Sequence, residues 1–141
     1  PSYVIITVIS GVILFLLYSR MKKHWNIFLK FDAIGLGVFT VIGATFAYNL
    51  FGMNFLVIVL SGMLTAIGGG ILRDVFVNQT PIVFVKELYA SASFIGAITF
   101  YFTLSITNEV YAATILGIAL TTGLRLVAMK YNWNLPKVKS R

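Results

Sequence analysis

The chain has 141 residues, of which 59% are hydrophobic and 11% charged, with a mean hydropathy of +0.93; a soluble domain, with its roughly 25% charged residues, is excluded. The formal net charge of +7 does not point to nucleic acid, whose binders carry their basic residues on a solvated face or groove; here Lys and Arg sit at the ends of apolar segments, as they do where membrane helices meet anionic headgroups. With no cysteine in the chain, disulfides, thiolate metal sites and cysteine nucleophiles are ruled out.

At about 20 residues per crossing, the length accommodates five spans in one all-α polytopic bundle, residues 1–141 forming a single transmembrane domain. The first, 3–18, is long for a signal-peptide core and has no basic region before it. The chain opens on Pro1, so further residues are expected ahead of this helix. A basic stretch from Arg20 to Lys30, with Lys22, Lys23 and His24, reads as a loop flanked by the interfacial aromatics Trp25 and Phe28. The second span covers 32–49, with Asp32 placed to cap its N-terminus. Phe51, Gly52 and Met53 then turn the chain at once into the third span, 54–76, as an antiparallel neighbour. The fourth span covers 83–104 and the fifth 109–129, before a basic tail with Lys130, Lys137, Lys139 and Arg141.

Alternating crossings place the loop after the first span, the loop after the third and the tail on one side of the membrane. All eleven Lys and Arg fall on that side or at the helix ends nearest it, Arg125 about a turn inside. By the positive-inside rule this side, with loop 20–30 and the tail, is cytoplasmic, in a multi-pass protein of the cell membrane.

The third span holds the most informative stretch, GMLTAIGGGILRD, from Gly62 to Asp74. Gly68, Gly69 and Gly70 each cost about 1 kcal/mol relative to Ala in a helix. They are expected to break the span, which a membrane tolerates where the backbone lines a wet cavity or is buried in protein. Gly62, Ala66 and Gly70 also form a small-residue ridge suited to close packing. Ser61 and Thr65, one and two turns before the glycines, are candidates to line a path by helical spacing. Arg73 and Asp74 are ionisable groups in a span, and such groups face a bundle interior or water; mutual neutralisation is their structural alternative. Lys86, Glu87 and Ser91 put a polar stripe at the start of the fourth span, where Glu87 also suits the helix dipole. On the fifth, Thr114, Gly117, Thr121 and Arg125 share a face that would line a pore or pack on a neighbour.

Catalysis finds little support. His24 is the single histidine, so histidine metal sites and serine triads lack partners, and GGG is not a phosphate loop. An interfacial belt accounts for Tyr48, Tyr131 and Trp133. No enzyme activity, resident metal or cofactor is expected.

The run Asp32-Ala33-Ile34-Gly35-Leu36-Gly37-Val38-Phe39 through Gly43-Ala44, followed by Gly68-Gly69-Gly70-Ile71-Leu72-Arg73-Asp74, resembles the prokaryotic trimeric intracellular cation (TRIC) channels, related to bacterial proteins described as glycine transporters. The resemblance implies a seven-span fold of two inverted three-helix repeats and a closing helix. Residues 32–104 would be the second repeat and 109–129 the closing helix. The first two helices of that pattern have no counterpart in these 141 residues. It further implies a homotrimer whose protomers each conduct monovalent cations, chiefly potassium, with Gly68, Gly69 and Gly70 as a pore kink and Arg73 and Asp74 as the ionic pair behind it. A secondary transporter for a small amino acid such as glycine is the alternative on the same helix; a scaffold that uses its small residues only for packing is a third.

Overall fold

The computed structural model describes Ile5, Ile9, Val12 and Ile13, residues 25–76, Asn78, residues 80–85 and residues 88–131. The chain divides into two units, Pro1–Phe31 and Asp32–Arg141. In the first, Ile5, Ile9, Val12 and Ile13 are helical and exposed; the rest of the expected 3–18 span lies outside the described residues.

The ordered elements among the described residues are helices: α1 (Trp25–Phe51), α2 (Phe55–Phe76), the single turn α3 (Ile82–Val85), α4 (Leu88–Thr107) and α5 (Val110–Lys130). All but α3 are long and apolar enough to cross a bilayer. Their outward faces carry Phe39, Phe46, Leu64, Ile106 and Ile115 in the open. In water such a surface would aggregate, whereas against acyl chains it is the ordinary exterior of a membrane bundle.

Tight turns on the side without basic residues fix the first and last helix pairs. Gly52 takes a left-handed φ of 67° and donates its N–H to the Tyr48 carbonyl at 2.8 Å, ending α1 as a C-terminal glycine does. Asn54 then accepts the Val57 N–H at 3.2 Å, a cap for the next helix. At the other turn Asn108, with φ 55°, bonds back to Leu104.

Close approaches define the bundle within the second unit. A Cβ on Gly62 would lie 2.7 Å from the Thr40 carbonyl and 3.3 Å from Ala97, and one on Gly43 would lie 2.6 Å from the Ser61 carbonyl. Gly37 meets Ile118 and Thr122, and Gly96 meets Thr121. These pairs run in opposite chain directions, so α2 is antiparallel to both α1 and α4, and α5 likewise. Small residues at the crossings let backbones approach, which is how helices associate where lipid supplies no hydrophobic drive between them. Val41, Ala44, Ala47, Ile58, Phe100, Leu104 and Ala113 form the core near the tight turns. Leu36, Ala66, Ile67, Tyr89 and Ala92 form a second one toward the other end.

Three expectations are corrected. The basic stretch 20–30 is helical from Trp25 onward; Ile27, Phe28 and Leu29 supply apolar side chains with no glycine or proline to stop the helix. Asp32 therefore lies inside α1 and caps nothing. The third span is not broken at 68–70, because α2 is helical from Phe55 to Phe76: at bilayer depth every N–H and C=O must be satisfied within the segment, and keeping the helical bonds costs less than abandoning them.

Candidate functional site

Helix α2 has two unlike faces. Ile58, Val59, Gly62, Ala66, Ile67, Gly70 and Asp74 are buried in the bundle, so the small-residue ridge packs. Ser61, Thr65, Gly68 and Gly69 lie on another side, where Ser61 and Gly68 are half-buried and Thr65 and Gly69 exposed. A Cβ on Gly68 or Gly69 would meet nothing within 4 Å, whereas one on Gly70 would come 2.5 Å from the Tyr89 hydroxyl. One triplet thus serves two purposes: Gly70 admits a neighbour, while Gly68 and Gly69 leave bare main chain on an open flank of the unit.

Behind the glycines, on the side where α1 and α4 begin and α2 and α5 end, four charges and a phenol converge. Arg73 donates through Nη1 to Asp32 Oδ1 and through Nε to Asp74 Oδ1 at 2.8 Å, forming ion pairs with both carboxylates. Asp74 also accepts the Ile82 N–H at 2.8 Å through Oδ2, which ties α3 to the end of α2. The Tyr89 hydroxyl lies 3.4 Å from Asp32 Oδ1, and its ring carries the Arg125 guanidinium 5.1 Å from the centroid, a cation–π contact strengthened by burial. Asp32 keeps 6% of its side chain exposed and Arg125 is 3% exposed. Two aspartates and two arginines sum to zero charge, the condition under which ionisable groups persist at this depth.

Deeper in the bundle a polar contact joins α1 to α4. The Thr40 hydroxyl lies 2.8 Å from Ser93 Oγ and 2.7 Å from the Leu36 carbonyl, with both side chains fully buried. Thr121 is also fully buried, with its hydroxyl 2.8 Å from the Gly117 carbonyl and its side chain against Gly96; it packs in the α4–α5 contact. Thr114 borders an open apolar groove of about 440 Å³ with Val38, Ile42, Thr45, Asn49 and Ile118. Ser91 is half-buried in the first turn of α4. Lys86 and Glu87 lie outside the described residues, as do His24 and Trp133.

Sequence reasoning missed Tyr89, Ser93 and the counter-ion role of Asp32. The signal for Asp32 was present in the topology, since alternating crossings put it at the same end as Arg73, Asp74 and Arg125.

The family model described as Glycine transporter matches residues 29–105, which takes in all of α1 and α2 from Leu29 and most of α4. This chain belongs to that family, the TRIC-like membrane proteins. Among its relatives, the UPF0126 inner membrane protein YadS of Escherichia coli K12 is 32% identical over 96% of this chain and 66% of its own length. A UPF0126 membrane protein of Vibrio cholerae is 34% identical over 96% of this chain and 56% of its own. A structure solved as the basis for conductance through TRIC cation channels superposes with a TM-score of 0.80 at 32% identity, covering 92% of this chain and 64% of that one. A prokaryotic TRIC channel in 0.5 M KCl gives a TM-score of 0.74 over 88% of this chain and 62% of that one. The chain thus spans about two thirds of the length of these family members or less. Its fold is that of the TRIC channels, and its structural neighbours are membrane channels, not enzymes.

Proposed function

We propose that the complete protein is a monovalent cation channel, conducting chiefly potassium through a pore within each protomer of a homotrimer. The observation that carries this reading is the agreement with solved TRIC channels, a TM-score of 0.80 at 32% identity, taken together with the uncovered flank of α2. Ser61 and Thr65 are assigned to the lining, where hydroxyls and main-chain carbonyls near Gly68 and Gly69 replace part of a cation's hydration shell. Gly68, Gly69 and Gly70 allow α2 to bend without losing its helical bonds, and Arg73 and Asp74 close the ionic network behind them. The basic end, with residues 20–30 and the tail, faces the cytoplasm and its anionic lipids, in accord with the positive-inside rule.

The alternative, a secondary transporter of a small amino acid such as glycine, draws on the family's own description and on the same helix. Reconstitution of the full-length protein in liposomes under a potassium gradient separates the two. The channel gives a current that reverses at the potassium equilibrium potential; saturable glycine uptake without that current would establish the transporter.

A further inference from the structure

The four-charge cluster is distributed unevenly. Arg73 holds both carboxylates, whereas Arg125 has no carboxylate within ion-pair distance among the described residues and rests on the Tyr89 ring. Among the buried side-chain atoms that lack a hydrogen-bond partner within the described residues are two on groups of opposite charge, Asp32 Oδ2 and Arg125 Nε. Tyr89 touches both owners, through its hydroxyl to Asp32 and through its ring to Arg125. A buried charge without a counter-charge is costly, and a buried pair is tolerable only when its remaining hydrogen-bonding atoms are met.

We propose that Asp32 is a two-position carboxylate, held by Arg73 in the conformation described here and paired with Arg125 beside Tyr89 in a second one, so that the exchange unfastens the Arg73 end of α2 from α1. The charge inventory is the same in both positions. The first has one arginine on two carboxylates and one arginine on a ring; the second has two separate pairs, Arg73 with Asp74 and Arg125 with Asp32. Neither leaves a net buried charge, which is the near-balance a bistable element requires. The movement is local, since Asp32 sits in unbroken helix and Arg125 supplies a long arm that only has to leave the Tyr89 ring. Because Arg73 lies three residues beyond Gly70, releasing it frees the segment that carries the glycines. The exchange is a statement about the ion pairs alone; its effect on conduction rests on the channel reading.

The test uses the full-length protein in lipid, spin-labelled at Ile34→Cys and Leu72→Cys, two exposed positions flanking the cluster; these 141 residues contribute no native thiol. Two inter-label distances are expected. Arg125→Gln leaves only the one in which Arg73 holds Asp32, and Arg125→Lys, which keeps the charge, retains both. A single distance in the unsubstituted protein, or two that Arg125→Gln does not change, would overturn the exchange. In potassium flux, Arg125→Gln is expected to lower the rate about fivefold or more. Two distances without any flux would sink the channel reading and leave the exchange standing; flux with a single distance would do the reverse.

Discussion

Asp32 on α1 and Arg73 on α2 are ion-paired across forty-one positions of sequence, and this contact fastens two antiparallel helices at the end opposite their tight turn. Removing the Asp32 charge leaves two guanidiniums, Arg73 and Arg125, with the single carboxylate of Asp74. Asp32→Asn is therefore expected to destabilise the detergent-solubilised protein by about 2–4 kcal/mol, part of the pair being open to solvent. Thermal unfolding followed by circular dichroism measures it, and a loss under about 1 kcal/mol would show that the pair contributes little.

The glycines should split into two classes. Gly96→Ala places a Cβ 1.7 Å from Thr121 Oγ1 and should cost about 1–3 kcal/mol or more through overpacking, with part recovered when Thr121→Ala is added. Gly69→Ala meets nothing within 4 Å and lies in a helix, so it should leave stability unchanged or raise it by about 0.5–1 kcal/mol. Parallel melting curves of the single variants decide the matter; equal losses would contradict the division.

If Gly68 and Gly69 border the conduit, bulk there should act on flux rather than folding. Gly69→Leu is expected to reduce potassium efflux from liposomes about tenfold or more, through a change of at least about 1.4 kcal/mol in the barrier, while the protein elutes from size exclusion as the unsubstituted one does. Wild-type efflux from a well-assembled Gly69→Leu protein would remove this flank of α2 from the pathway.

The contact between Thr40 and Ser93 gives a measurable link between α1 and α4. A double-mutant cycle with Thr40→Val and Ser93→Ala should return a coupling of about 0.6 kcal/mol, the average for hydrogen bonds between membrane helices. Strict additivity would mean that each hydroxyl is satisfied without the other.

The spans of the second unit were legible because hydropathy and the alternation of basic and non-basic ends record the same topology; α2 and α5 begin and end within a residue or so of where the apolar runs do. Helix continuity was less legible. GGG carries a cost that propensity registers, yet the absence of water at that depth reverses the expected outcome, and propensity alone contains no term for it. Asp32 was misassigned for a related reason. As an isolated residue near a helix start it resembles a cap, and only the folded bundle reveals a guanidinium from α2 beside it. Nothing local to Tyr89 marks a phenol that will sit between the Asp32 carboxylate and the Arg125 guanidinium. Thr121 has the spacing of a residue that lines a path or packs on a neighbour, and only the bundle sets it against Gly96; spacing fixes a face and not what that face meets.

The Asp74 carboxylate joins Arg73 on one side and the first amide of α3 on the other. It is thereby a mechanical node: the connection leading toward α4 is tethered to the last turns of α2 by a charged hinge pin instead of by apolar packing alone. Any tilt of α2 must drag the start of that connection with it, so displacement at one helix is inherited by the next crossing along the chain.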